Sequence, residues 1–168
     1  MRQFDVKYLK NEYGLSCIEN YILYLLAQTN GIWQQIFVES YIRFSEIFEC
    51  LNCGQTYSYF KGIPRLQETG QNLGMLKMKL YKNKNFAPEV VKNVFFVMQV
   101  SEEFVKNTFG KQLWRNDHYM LLKHQGGEIF EYLNDIPASV GIIDLKEING
   151  IYRNNIIVIE VCEKFQFE

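Results

Sequence analysis

The sequence contains no apolar run approaching the roughly 20 residues that cross a bilayer as a helix, so no membrane association is expected. Its opening stretch, MRQFDVKYLKNEYG, has no apolar core of the kind a secretory signal needs. Basic and acidic residues nearly cancel, with 18 Lys and Arg against 19 Asp and Glu and a net charge of −1. No basic field is present to meet nucleic acid or an anionic surface. Four cysteines do not make a disulfide framework in a chain of this size. A reducing cytoplasm is therefore the expected compartment. No glycine-rich loop follows a strand pattern to cradle a phosphate, so neither nucleotide chemistry nor a bound cofactor is expected. Histidine is scarce. There are two, His118 and His124, and any imidazole chemistry must run through one of them.

What is present is core. The 168 residues are 48% hydrophobic and 15% aromatic, enough for one globular domain over residues 1–168. The stretch SCIENYILYLLAQTNG predicts a helix, with Ser16 and Glu19 as a capping box and Asn30-Gly31 as the stop. Apolar side chains surround it almost completely, which places it inside the domain. Residues 33 to 51 carry Trp33, Ile36, Phe37, Phe44, Ile47, Phe48 and Leu51 at helical spacing and predict a second helix. Residues 52 to 75 are punctuated by glycines and read as loop. LKMKLYK alternates as an exposed strand, VFFVMQV reads as a buried one, and SEEFVKNTFG as a short capped helix. Two strands flank Gly126-Gly127, and NIIVIEV supplies another. The expected class is α+β, with N-terminal helices packed on a C-terminal antiparallel sheet.

Three residues stand out chemically. With Ser16 as the cap, Cys17 is the first helical residue, where unpaired N–H groups and the helix dipole favour a thiolate. A nearby imidazolium would act in the same direction, so a thiol pKa below the usual 8.5 or so is expected. With Gly126 and Gly127 as a two-residue hairpin loop, His118 faces Asp135 while Asn134 falls on the opposite face of the sheet. That register nominates Asp135 to orient the His118 ring. Cysteine, histidine and an orienting carboxylate are the parts of nucleophilic acyl transfer.

A helix opening on a cysteine, a much later HY starting a strand and LND-x-PA ending the next together resemble the papain-like cysteine protease fold. The resemblance is to bacteriocin-leader peptidases and to butirosin-biosynthesis-type acyltransferases, which accept an acyl group from a carrier protein. It implies Cys17 as nucleophile, His118 as general base and Asp135 as the orienting residue. Such enzymes often carry a Gln six residues before the cysteine to help hold the oxyanion. Here Asn11 stands in its place, one methylene shorter. The implied function is acyl transfer or thioester hydrolysis on a carrier-bound or small-metabolite acyl group. A peptidase, or a non-catalytic module binding a carrier protein or peptide on the same scaffold, is the alternative.

Each residue also has a plainer account. A cysteine at a helix start is often a small buried hydrophobe, a histidine a polar strand end, and an aspartate before Ile-Pro a turn residue. Their joint occurrence in one chain order favours the site. Cys50 and Cys53 form a C-x-x-C without a second pair, which reads as structural cysteines before zinc or redox chemistry, and no metal site is expected. His124, near the turn, reads as solvent-facing.

Overall fold

The computed structural model describes residues 3–11, 15–29, 33–34, 37–38, 44–54, 65–82, 93–110 and 118–162. A 3-10 turn (Val6–Tyr8) precedes helices α1 (Cys17–Thr29), α2 (Phe44–Asn52) and α3 (Arg65–Asn72). Strands β1 (Leu76–Tyr81) and β2 (Val94–Val100) are followed by helix α4 (Glu102–Phe109). Then come strands β3 (His118–Gly126), β4 (Ile129–Asp135) and β5 (Ala138–Asp144), helix α5 (Leu145–Ile151) and strand β6 (Tyr152–Val161). The six strands among the described residues form one antiparallel sheet in the order β1-β6-β2-β3-β4-β5. The α+β expectation holds at that level.

The sheet has two covered faces, and strand alternation decides which side chain enters which core. Phe95 and Val97 of β2, Leu121 of β3 and Leu133 of β4 pack with Tyr21 to Leu26 of α1. Phe96, Met98, Met120, Leu122 and Phe130 point the other way, against Val105 of α4 and Ile148 of α5. Helix α1 is the centre of the first core, as its apolar circumference predicts: Ile22, Leu23, Leu25 and Leu26 are fully buried. Each such side chain contributes about 1.5–3 kcal/mol by leaving water. The helix that carries Cys17 is thus anchored rigidly against β3 and β4.

The helices differ from the sequence expectation in two places. Residues 65–72 are a helix, not loop. Gly70, which reads as punctuation, sits inside it because a Cβ there would come within 2.8 Å of Leu76 Cδ1. The glycine lets the tip of the Leu76 side chain lie close against the helix and does not mark a turn. The second helix is seen at 33–34, 37–38 and in α2, with the rest of the expected span outside the described residues. Its Phe48 and Leu51 are 67% and 69% exposed, so the apolar stripe does not enter the core at that end. The capped helix after Ser101 forms as expected, with Ser101 Oγ accepting from Phe104 N and Gly110 closing it at φ 65°.

The hairpin differs most consequentially. Gly127 and Glu128 form the turn, Gly126 pairs with Ile129, and His124 pairs with Phe130. Gln125 is left without an opposite residue, a β-bulge in β3. Beyond it Leu122 faces Tyr132 and Leu121 faces Leu133. This register is one residue away from the expected one, and such a slip exchanges the two faces. His118 therefore shares a face with Asn134, while Asp135 lies on the α1 side with Leu133.

Candidate active site

Cys17 opens α1 on a capping box. Glu19 N donates to Ser16 Oγ at 3.4 Å, and the Glu19 carboxylate accepts from Ser16 N at 3.2 Å and Ser16 Oγ at 3.0 Å. These bonds cap the first turn and leave the sulfur of Cys17 at the end of the sheet where β3 begins. A second set of bonds straps the N-terminal segment beside it. Asn20, one of the most buried polar side chains, accepts from Lys10 N at 3.0 Å and donates to Asn11 Oδ1. Further along, Asp5 N donates to Tyr24 Oη and Phe4 N to Glu131 Oε1, both at 2.9 Å.

The sulfur of Cys17 lies 4.0 Å from Nδ1 of His118. The other ring nitrogen, Nε2, is 2.5 Å from Oδ1 of Asn134. Asn134 is fully buried, and its Nδ2 donates to the Pro137 carbonyl at 2.7 Å. That carbonyl settles which way round the amide sits, because only the nitrogen can donate to it. Oδ1 must then accept from Nε2–H, which in the neutral ring leaves the lone pair of Nδ1 turned toward the thiol. The result is a cysteine, a base in the right tautomer and an amide that holds it there. The group that orients His118 is Asn134, a correction to the register expectation that named Asp135. The bulge at Gln125 is its cause.

Asp135 is nonetheless in the site by another route. Its side chain is 1% exposed, with Oδ1 accepting from Ile136 N at 2.9 Å and contacting Tyr21 Oη at 3.3 Å. Tyr21 is one helical turn along α1 from Cys17, and its hydroxyl also donates to the Tyr119 carbonyl at 2.8 Å. Oδ2 of Asp135 is buried without a hydrogen-bond partner. Donor atoms of Cys17, His118 and Asp135 all lie within 4.8 Å of one another.

This surrounding reverses the electrostatic expectation for the thiol. Burial, with the Asp135 carboxylate adding a like charge, pushes the Cys17 pKa from 9.0 up to about 12. Desolvation and a neighbouring anion both oppose the thiolate, and here they outweigh the helix dipole. Tyr21 is displaced in the same direction, chiefly by burial and then by Asp135. At neutral pH the Cys17 side chain is therefore a thiol, with its sulfur toward the Nδ1 lone pair of His118.

No protein-family model matches this chain, and no curated protein does.

The remaining candidates fall around the site. Asn11 is exposed, and its Nδ2 donates to the Asp135 carbonyl at 2.9 Å, so the amide braces β4 against the N-terminal segment. A groove of about 700 Å³ runs between that segment and β5, lined by Phe4, Asp5, Tyr8, Ala138, Ser139 and Val140 among others. It adjoins the strand end bearing Asn134, whose register partner is Ser139, but neither Cys17 nor His118 lines it. His124 Nε2 donates to the Gly127 carbonyl at 2.7 Å, and the ring stacks on Phe130. Cys50, Cys53 and Cys162 are free thiols. No described helix is long and apolar enough to cross a membrane. Sequence reasoning missed Asn134 as a partner and Tyr21 altogether. For Tyr21 a signal existed: four residues after Cys17, it shares the cysteine's helix face.

Proposed function

We propose that this chain is a cysteine-dependent acyl-transfer enzyme on a papain-like fold, acting on thioesters of a carrier protein or small metabolite. One observation carries the proposal. A cysteine at the start of a buried helix faces the free nitrogen of a histidine whose other nitrogen is held by a buried amide. The chemistry follows from those atoms. Sγ of Cys17 attacks the acyl carbonyl carbon while its proton passes to Nδ1 of His118. The N–H groups at the start of α1 face the oxyanion that develops. The imidazolium returns the proton to the leaving sulfur, and acyl-Cys17 remains. An amine or water then gives its proton to Nδ1, attacks the same carbon and frees the thiol.

Asp135 fits this sequence of charges. Its carboxylate disfavours a bare thiolate beside it, yet attracts the imidazolium that forms during attack. Proton transfer and attack are therefore coupled, and a resting ion pair is not required. A thioester suits such a site because its leaving group is a sulfur that needs little help to depart. Asn11, tied to the Asp135 carbonyl, serves by placing the strand end, and the groove beside Ser139 gives room for an acyl chain or carrier arm.

The test is turnover. Simple acyl thioesters, with and without an amine acceptor, should release free thiol in proportion to enzyme, and Cys17→Ala and His118→Ala should each abolish it. Turnover of a matching peptide amide at a comparable rate would assign the site to a peptidase. Absence of turnover on both would leave the scaffold a binding module.

A further inference from the structure

The site sets a buried carboxylate beside a sulfur and a ring nitrogen. Asp135 is 1% exposed, carries one carboxylate oxygen with no partner, and forms no ion pair among the described residues. A buried carboxylate is costly unless a cation or hydrogen bonds compensate it. The other two members of the cluster are a sulfur and a ring nitrogen, both ligands for a borderline-soft metal ion. All three donor atoms lie within 4.8 Å of one another.

We propose that Cys17, His118 and Asp135 form a three-ligand site for Zn²⁺ that reversibly silences the nucleophile. Zinc takes Cys sulfur at about 2.3 Å and His nitrogen or carboxylate oxygen at about 2.0–2.2 Å, tetrahedrally, which sets the ligands roughly 3.3–3.6 Å apart. The spacings are 4.0 Å between Sγ and Nδ1 and up to 4.8 Å across the cluster, so rotation of the three side chains would have to draw the ligands together by up to about 1.5 Å. The mixed sulfur, nitrogen and oxygen set disfavours Mg²⁺ and Ca²⁺, which demand oxygen ligands. On binding, the thiol proton leaves for solvent, so thiolate and carboxylate together neutralise the dication. Nε2–H of His118 stays on Asn134, the outer partner that a metal-bound histidine usually has. The fourth position is left for water. The sulfur lone pair and the Nδ1 lone pair are then both occupied, so neither attack nor proton transfer can begin. The silencing rests on the acyl-transfer proposal, whereas the binding does not.

The experiment uses the full chain carrying Cys50→Ser and Cys53→Ser, which removes the other cysteine pair. Zn²⁺ is titrated calorimetrically, and Cys17 alkylation and thioester turnover are followed at each metal level. One equivalent should bind, protect Cys17 from iodoacetamide and stop turnover, with a chelator restoring both. Asp135→Asn, which keeps the shape, should weaken binding by at least about tenfold, as should His118→Ala. Weaker binding in Asp135→Asn with no turnover in metal-free enzyme would sink the acyl-transfer proposal and leave the zinc site standing. Normal turnover that is indifferent to Zn²⁺, or binding equal in the parent and Asp135→Asn, overturns the zinc site alone. Because protection is read on the unsubstituted cluster, a variant that fails to fold does not leave the question open.

Discussion

Replacing Asn134 and replacing Asp135 should have opposite signatures, and the difference can be worked from the hydrogen bonds. Asn134→Ala removes the acceptor at 2.5 Å from His118 Nε2 and the donor at 2.7 Å from the Pro137 carbonyl. Loss of an ordinary hydrogen bond alone is worth about 0.5–1.5 kcal/mol, or roughly two- to twelvefold in rate. Loss of tautomer control costs about 10⁴ in the serine-protease case. Acylation of Cys17 by a thioester should therefore fall by between about 10 and 10⁴ in Asn134→Ala. Asn134→Asp keeps an oxygen toward Nε2 and should recover a large part of it. Two buried polar groups lose partners in the alanine variant, so its unfolding free energy should also drop by about 1–3 kcal/mol, which urea denaturation measures separately. Asp135→Asn leaves the His118–Asn134 bond intact and removes a charge beside the sulfur. Its acylation should change far less, and its thiol should ionise more readily. Single-turnover acylation, followed by intact mass in stopped samples, gives both rates. An Asn134→Ala enzyme within threefold of the parent, beside an inert Asp135→Asn enzyme, would refute the orientation derived from the bulged register.

Two further outcomes follow from the electrostatics. Because the Cys17 pKa is held up to about 12, its alkylation by iodoacetamide should still be rising with pH at pH 10, and Asp135→Asn should move the curve to lower pH; a plateau below pH 8 in the parent, read by peptide mass spectrometry, would contradict it. The same shift affects stability: between about pH 9 and 12 the folded chain keeps a proton that the unfolded chain releases, so unfolding free energy falls as pH rises, by up to about 1.4 kcal/mol per pH unit for this group. Cys17→Ala should flatten that fall between pH 9 and 10, as urea denaturation at the two values will show, while Tyr21, displaced in the same direction, continues it at higher pH.

The parts of the fold legible in the sequence are those where one local signal dominates. VFFVMQV could hardly be anything but a central strand, and α1 announced its start through Ser16 and Glu19 and its burial through its apolar circumference. Helix α5 carries an equally legible signal, the Asp144–Glu147 capping box. Helix α3 was illegible because the feature that suggests loop, Gly70, is explained only by Leu76 packing across it. The candidate site divides in the same way. Cys17 and His118, a hundred residues apart, are brought together, and chain order had nominated both. The choice between Asn134 and Asp135 was beyond reach, because a single bulge residue exchanges the faces and glycine pairs do not reveal one. The thiol's electrostatics were misjudged for a related reason. The helix dipole can be read from the sequence, but a buried carboxylate arriving from β4 appears only once the strand is folded against α1.

The central claim is that an acyl group passes through the sulfur of Cys17. Chain incubated briefly with a simple acyl thioester, quenched in acid and digested should show one acyl adduct per molecule, on the peptide containing Cys17. His118→Ala should show none on the same timescale. An adduct confined to exposed Cys53, equal labelling in His118→Ala, or no adduct at any time would contradict the account.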